Sequence, residues 1–167
     1  DSRDLDAAQA YEKVYAICTQ MRALHPQSVF KKIDSTLRGN IGAEIRAAAD
    51  AFAPDLVVIA PAYPRIRRTT VGGHHLMDGI PLDLTEIASA PKTPVHESYI
   101  PAILAKQADN PVGVLDYQTV HAGVAAIQAA LARLRNEGIR WIVSDVAEEQ
   151  NFVDLMAALR TEEKILW

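Results

Sequence analysis

The sequence is poor in cysteine, which limits both its covalent chemistry and its metal chemistry. Cys18 is the single cysteine among 167 residues, so an internal disulfide is impossible and a cysteine-based metal site is poorly supported. A reducing, cytoplasmic setting is the expectation that follows. Long apolar runs are also missing, since a stretch such as residues 56–60 is far too short to span a bilayer. We therefore expect no membrane partner.

An excess of positive charge is absent as well. The 17 lysine and arginine residues are outnumbered by 21 aspartate and glutamate residues, which gives a formal net charge of −4. Because non-specific nucleic-acid binding needs a strongly basic surface, no nucleic-acid partner is expected. The phosphate-binding motifs G-x-x-x-x-G-K-[ST] and G-x-G-x-x-G are also missing, so any nucleotide would be bound largely by another part of the protein.

What the sequence does contain is an alternation of helical and extended patterns. Apolar residues recur at helical spacing in residues 11–21, 41–52, 120–134 and 152–159. Apolar runs of strand length lie at residues 29–33, 56–60, 111–115 and 139–144. This alternation predicts an α/β fold, in which a mostly parallel sheet has helices on both faces. The loops that follow the strands should meet along one edge, where such sheets bind ligands.

One long segment, residues 61–98, interrupts this alternation. The pairs Gly72-Gly73 and Asp78-Gly79 are typical of tight turns between short strands. They predict a small β-meander at residues 66–85, inserted after a core strand at the ligand edge. Insertions of this length in compact domains are usually either functional or disordered, and the alternation around the turns favours an ordered, functional one.

The sequence KKIDSTLRGN, residues 31–40, combines groups that suit a small acid. The Arg38 guanidinium can form a two-pronged hydrogen bond to a carboxylate or phosphate. Asp34 and Ser35 can bind hydroxyl groups, and the helix start after Gly39 should offer backbone N–H groups to an anion. The pattern fits a molecule with a carboxylate at one end and hydroxyl groups along it, although the same residue types are also common in turns and caps.

A second cluster, RIRRTT at residues 65–70, places three arginines in an otherwise acidic chain. Such a cluster could attract an anionic substrate or nucleotide phosphates. We expect Arg65 and Arg67 to be solvated surface residues. Arg68, next to Thr69, is the better candidate for binding an anion.

Other polar residues give weaker signals. His74 and His75 lie near Asp78, but adjacent residues on a strand point to opposite faces, so no metal site is predicted there. Asp116 and Asp145 each follow a predicted strand, where an aspartate is more often a turn or cap residue than a functional one.

Four segments of the sequence, taken in order, resemble the four-carbon acid sugar kinase family. They are KKIDSTLRGNIGAEI, APAYP, RTTVGGHHLMDGIPL and PVHESYIP. The resemblance extends along essentially the whole chain. It implies that residues 1–167 are the later part of an N-terminal sugar-acid-binding domain. It also implies that an opening strand with an Asp-Asp-x-Thr-Gly motif and a C-terminal nucleotide-binding domain lie outside this chain. The strand-like pattern of the last four residues likewise leads us to expect a longer protein.

The resemblance also implies a set of site residues. By position, the acid-binding site would be formed by Asp34, Ser35, Arg38 and Gly39, with Arg68 and Thr69 contributed by the inserted loop. Asp34 is expected to orient the attacking hydroxyl or to take its proton. The family often has glycine where Arg67 stands, and this departure bears on the conformation of the loop that carries the next arginine.

The function implied is ATP-dependent phosphorylation of a hydroxyl group of a threonate, an erythronate or an oxo-tetronate. ATP and Mg²⁺ are the expected cofactors, and the sugar acid and ATP are the expected small-molecule partners. A homo-oligomer is also compatible with the sequence. The alternatives are a non-catalytic hydroxy-acid binding module or sensor, an interaction protein that uses the meander as its surface, and another α/β enzyme acting on the same metabolites.

Overall fold

A computed structural model of the chain describes residues 2–160 and 164–167. The strands are β1 (Leu56–Ile59), β2 (Arg68–Val71), β3 (His74–Met77), β4 (Ile80–Pro81), β5 (Val112–Leu115), β6 (Trp141–Ser144) and β7 (Ile165–Leu166). The helices are α1 (Ala7–Arg22), α2 (Ile41–Phe52), α3 (Ile100–Ala105), α4 (Tyr117–His121), α5 (Val124–Asn136) and α6 (Glu149–Ala158).

Two separate sheets are formed by these strands. The larger sheet has the order β5-β6-β1-β7, and every neighbouring pair in it is parallel. The smaller sheet has the antiparallel order β2-β3-β4. Both the predicted parallel α/β sheet and the predicted meander are therefore confirmed. Of the helices that the structure describes, none has both the length and the apolar composition needed to cross a membrane.

The central strand β1 shows why helices cover both faces of the parallel sheet. All four of its residues are buried, and successive side chains point to opposite faces. Val57 and Ile59 pack in one apolar cluster with α2, whereas Leu56 and Val58 pack in another with α5 and α6. A strand that is apolar at every position is typical of a sheet that is covered on both sides.

The predicted strand at residues 29–33 is shorter in the structure. Val29 forms an isolated parallel bridge with Leu166. The Trp167 N–H donates to the Val29 carbonyl at 3.0 Å, and the Lys31 N–H donates to the Trp167 carbonyl at 2.6 Å. Because the partner strand β7 has two residues, the pairing does not extend to residue 33.

The predicted helix at residues 120–134 is divided into α4 and α5. Gly123 lies between them with φ of 89°, a value that a right-handed helix cannot contain. The apolar spacing nevertheless passes through the break, because Val120 and Ile127 are both fully buried in the same cluster. The periodicity therefore reports the buried face correctly but not the interruption of the backbone.

Both turns of the meander have the backbone conformation that their residues predict. Gly72 and Gly73 have φ of 61° and 75°, and Asp78 and Gly79 have φ of 54° and 80°. Two successive residues with positive φ match the twist of a hairpin, and glycine adopts this conformation at least cost. At Gly73 a Cβ atom would also lie 2.8 Å from the Tyr99 ring, so space as well as conformation requires glycine there.

Arg67, which immediately precedes β2, adopts the left-handed conformation with φ of 58° and ψ of 34°. Its N–H donates to the Pro64 carbonyl at 2.8 Å, and its carbonyl accepts from the Asp78 N–H at 2.9 Å. Its side chain is exposed and lies 3.1 Å from an Asp78 carboxylate oxygen. The resemblance leads us to expect glycine at position 67, and the backbone conformation observed there does favour glycine.

We expect Arg67→Gly to stabilise the chain. A side chain in the left-handed conformation costs roughly 1 kcal/mol relative to glycine, while the exposed ion pair with Asp78 contributes little. The midpoint of thermal unfolding, followed by circular dichroism, should rise by about 2–4 °C. Arg65→Gly is the matched control, because that exposed arginine lacks a positive φ, and it should give no increase. A lower midpoint for Arg67→Gly would contradict the prediction.

Candidate functional site

Three segments of the chain meet at the edge of the parallel sheet where its strands end. The first is the DSTLRG loop, residues 34–39, which precedes α2. The second is the meander, residues 68–81, which follows β1. The third is residues 145 and 146, which follow β6. His75, on the second segment, contacts the first, and Asp145, on the third segment, contacts the second.

The DSTLRG loop is organised around the carboxylate of Asp34. Arg38 donates to both of its oxygens, through Nε at 2.9 Å and Nη2 at 3.3 Å. The Thr36 hydroxyl donates at 2.6 Å, and Arg3 donates through Nη2 at 3.2 Å. Burial by itself would raise the pKa of Asp34, but the hydrogen bonds from Arg38 and Thr36 outweigh it and hold that pKa well below its usual range. The carboxylate is therefore ionised and already strongly hydrogen-bonded.

Arg3 is a member of this cluster that the sequence does not identify. Its guanidinium reaches Asp34 across a separation of 31 residues. Its aliphatic chain packs on Gly39, where a Cβ atom would lie 3.3 Å from Arg3 Cγ. Gly39 also has φ of 97°, so the conformation of this loop favours glycine, and a Cβ atom there would require a small shift of Arg3. A contact between residues so far apart leaves no local pattern in the sequence.

Two of the N–H groups at the start of α2, which were predicted to be offered to an anion, are already hydrogen-bonded within the chain. The side-chain oxygen of Gln107 accepts from the Gly42 N–H at 2.9 Å and from the Ala43 N–H at 3.3 Å. The Gln107 amide nitrogen in turn donates to Asn40 at 3.2 Å. Gln107 follows α3, and the packing of α3 against α2 brings this side chain to the start of α2. The cap therefore comes from a distant segment, which the local sequence does not reveal.

His75 joins the meander to the DSTLRG loop. Its side chain is fully buried, with Nε2 3.0 Å from the Ser35 carbonyl and Nδ1 3.1 Å from the Thr70 hydroxyl. Burial lowers the pKa of His75 to about 4, the carbonyl of Ser35 opposes this shift, and the positive charge of Arg68 adds to it. The ring is therefore neutral at pH 7, with Nε2 donating to the carbonyl and Nδ1 accepting from the hydroxyl.

The two adjacent histidines face opposite sides of β3, as predicted. His74 is exposed, and its ring lies 5.0 Å from that of Tyr99. Its Nδ1 lies 3.0 Å from the Ser98 hydroxyl. Within residues 2–160 and 164–167, no group of three or more histidine, cysteine, aspartate or glutamate side chains could hold a metal ion.

Asp145 joins the meander to the parallel sheet. Its fully buried carboxylate accepts from the Gly73 N–H at 2.8 Å and from the Gly72 N–H. Burial raises the pKa of Asp145, although these two hydrogen bonds oppose the increase. Next to it, Val146 exchanges two backbone hydrogen bonds with Thr70, at 2.9 and 3.0 Å.

Asp145 is the main residue at this edge whose role the sequence does not reveal. Both it and Asp116 follow strands, and both were expected to be turn or cap residues. Asp116 is indeed the N-cap of α4, since its side chain accepts from the Thr119 N–H at 2.8 Å. Asp145 instead binds a turn 72 residues away, so its role could be found only from the folded structure.

Arg68 lies on the buried side of the meander, and its side chain is 19% exposed. Its Nη1 lies 3.8 Å from an Asp78 carboxylate oxygen. Its Nε is buried and has no hydrogen-bond partner in the part of the chain that the structure describes. Buried donors are normally paired, so this nitrogen is suited to an added acceptor. Thr69, the next residue, is half-buried and points to the other face of β2.

A cavity of about 530 Å³ is lined by a different set of residues. It lies between α6 and the segment that precedes the DSTLRG loop, and Phe30, Phe152, Met156 and Trp167 contribute to its mainly apolar lining. None of the six predicted site residues lines it. An apolar wall suits a sugar acid poorly, so the loop and the meander remain the better candidate site.

The sugar-binding N-terminal domain family matches residues 1–167, the whole chain. A D-erythronate kinase from Heliobacterium modesticaldum is 40% identical over 152 residues, and a D-threonate kinase from Salmonella typhimurium is 44% identical over 152 residues. Both alignments cover 90% of this chain but only 35% and 36% of the relatives. The chain thus spans about a third of the length of these kinases, and the resemblance to kinases of four-carbon sugar acids is confirmed.

Solved structures show the same fold. A protein from Salmonella typhimurium superposes with a TM-score of 0.88 at 31% identity, covering 99% of this chain and 41% of that one. A domain of unknown function from Bordetella bronchiseptica superposes with a TM-score of 0.81 at 31% identity, covering 99% of this chain and 39% of that one. The Bordetella structure is a domain-swapped dimer with bound citrate.

Gln107→Leu should destabilise the chain. It leaves the buried N–H groups of Gly42 and Ala43 without their acceptor, which costs roughly 1–3 kcal/mol. The free energy of unfolding in urea should fall by that amount. Gln118→Leu, at an exposed position in α4, is the matched control and should change it little. Equal stability of the two variants would show that the cap is dispensable.

Stability should also depend on the neutral state of His75. Because its pKa is about 4 when folded and near 6.5 when unfolded, only the unfolded chain binds this proton between those values. The neutral ring therefore makes its full contribution to the free energy of unfolding above pH 6.5. That contribution is lost as the pH falls towards 4, by up to about 3 kcal/mol.

The measurement is urea unfolding at pH 7 and pH 4.5. His75→Gln removes the titrating group, so its unfolding free energy should fall less between the two pH values than that of the unmodified chain. The exposed His96→Gln variant should behave like the unmodified chain. Identical pH dependence in all three would contradict the assignment.

Proposed function

Since the chain belongs to the sugar-binding N-terminal domain family, we propose that it supplies the acid-binding part of an ATP-dependent kinase of four-carbon sugar acids. Residues 1–167 would form the later part of the N-terminal domain of that kinase. The observation that carries the proposal is the joining of the DSTLRG loop to the arginine-bearing strand β2 through His75. The two elements that resemble the kinase family are thereby held at one edge of the sheet, although they are far apart in sequence.

In this proposal the acid is bound by positively charged and polar groups of both elements. The Arg38 guanidinium has five N–H donors. Two of them donate to the Asp34 carboxylate, so others are available to the carboxylate of the acid. Arg68 adds a second guanidinium with a buried, unpartnered Nε in the described residues. Ser35 and Gly39 would contact the hydroxyl groups along the acid. Thr69 faces the other side of β2 from Arg68, and its contribution to the site stays a prediction.

Asp34 is proposed to hold Arg38 in place and to orient the attacking hydroxyl. The further expectation that it takes the proton of that hydroxyl stays a prediction, and its low pKa argues against it. An efficient general base has a pKa near the working pH, because it must both accept and release the proton. A carboxylate that already accepts from two arginines is better suited to fixing geometry.

ATP and Mg²⁺ remain part of the proposal through the kinase relatives. The chain has neither of the two phosphate-loop motifs, and its described residues form no cluster suited to a metal ion. Both cofactors would therefore be held mainly by residues outside this chain. When bound, ATP supplies the phosphoryl group, and the residues described above bind and orient its acceptor.

A non-catalytic acid-binding module or sensor is the second candidate. It is favoured by the same lack of a phosphate loop and of a metal cluster in the described part of this chain. A dimer is also proposed, because the Bordetella relative is a domain-swapped dimer.

The test is an ATP-consumption assay on the intact protein with D-erythronate, D-threonate and 3-oxo-tetronate. Arg38→Ala should raise KM for the acid at least about tenfold, since hydrogen bonds to charged groups contribute roughly 1.5–3 kcal/mol each. KM for ATP should change little. Arg46→Ala, at an exposed arginine of α2 paired with Asp50, is the matched control and should leave both KM values unchanged.

Two outcomes would contradict the proposal. Equal effects of Arg38→Ala on both KM values would remove the assignment of Arg38 to the acid. A folded protein that binds ATP but turns over none of the three acids would favour the binding-only role.

A further inference from the structure

His75 is fully buried but contacts two elements that the proposed function needs. On one side it bonds to the backbone of Ser35 in the DSTLRG loop, and on the other it bonds to the side chain of Thr70 in β2. Ser35 is 40 residues away in sequence, whereas Thr70 lies opposite His75 in the register of the meander. The imidazole is thus a bridge between a loop and a strand.

Both hydrogen bonds of this bridge are directional. A neutral imidazole has one N–H donor and one acceptor nitrogen, and here each has a single partner of the matching kind. The Ser35 carbonyl can only accept, which fixes the proton on Nε2. Because the side chain is buried, water cannot readily replace either partner if the ring is removed.

The strand at the other end of the bridge is itself held in place. Thr70 exchanges two backbone hydrogen bonds with Val146, and the adjoining turn is bound by Asp145. Arg68 lies two residues before Thr70 on the same face of β2, close enough for its charge to lower the pKa of His75. On the loop side, Arg38 lies three residues after Ser35.

We propose that His75 is a positioning residue that fixes the DSTLRG loop relative to β2, and thereby sets the spacing of Arg38 and Arg68 at which the acid binds. This inference rests on the proposed function. His75 itself does not touch the acid, since its side chain is fully buried and both of its ring nitrogens are engaged.

The first test is steady-state kinetics of the intact protein with D-erythronate or D-threonate. His75→Phe keeps a planar aromatic ring, slightly larger than imidazole, but removes both hydrogen bonds. It should raise KM for the acid on the order of tenfold, because small displacements of binding groups are costly, and change KM for ATP less than about twofold. His75→Gln retains a donor and an acceptor, so its KM for the acid should return to within about threefold of the unmodified protein.

Two control variants and a second test variant separate positioning from a loss of stability. His74→Phe changes the adjacent, exposed histidine and should leave both KM values unchanged. Ile127→Val destabilises a distant part of the core. It should alter the amount of active protein but not the KM for the acid. Thr70→Val removes the hydroxyl partner of Nδ1 and should raise the KM for the acid, which keeps the proposal testable if His75→Phe fails to fold.

The second test is amide hydrogen exchange, which does not depend on turnover. In His75→Phe, or in Thr70→Val, amides of residues 34–39 and of the meander should exchange faster together, while those of α5 should not. Unchanged exchange in both segments, or equal changes in the two KM values, would overturn the proposal. If exchange changes as expected but the unmodified protein turns over no four-carbon acid, the proposed function fails, and with it the role of His75 in acid binding.

Discussion

The arrangement of the site depends on a small sheet that cannot support itself. The meander has three strands of two to four residues, too few to bury a core, so its position is determined by its contacts with the rest of the chain. Among these contacts, the hydrogen bonds to the Asp145 carboxylate constrain the position of the meander most strongly, because a buried charge is costly unless it is paired or hydrogen-bonded. Any displacement of the Gly72-Gly73 turn would remove two of the backbone donors of that carboxylate, which makes other positions of the meander unfavourable.

Much of this fold could be predicted, because its signals are local. The apolar stretch of β1 and the helical spacing in α2 lie within single segments, and the Gly72-Gly73 and Asp78-Gly79 pairs identify turns from two adjacent residues. The contacts that hold the site together are of another kind. Gln107 and Gly42 are 65 residues apart, and Asp145 and Gly73 are 72 apart, so no window of sequence contains both partners. Such pairs arise only when the topology brings their segments together.

The candidate site residues show a similar limit. The sequence correctly indicates that Asp34 and Arg38 belong to one loop, but residue type alone does not say whether they face a ligand or each other. In the structure they form a direct ion pair, which Thr36 and Arg3 reinforce. A guanidinium that suits an incoming carboxylate suits an aspartate of the same chain equally well. Discriminating between the two partners requires the backbone conformation of the loop, which glycine and a left-handed Leu37 determine.

The cap that Gln107 places on α2 has a consequence for how an anion would approach. With the N–H groups of Gly42 and Ala43 occupied, attraction would come mainly from partly exposed arginine side chains on a chain whose formal net charge is −4. At long range the net negative charge of this chain repels an anion, and the arginines act within a Debye length of about 8 Å at physiological salt. Electrostatic attraction would therefore act only at short range, after diffusion has brought the anion to the edge of the parallel sheet.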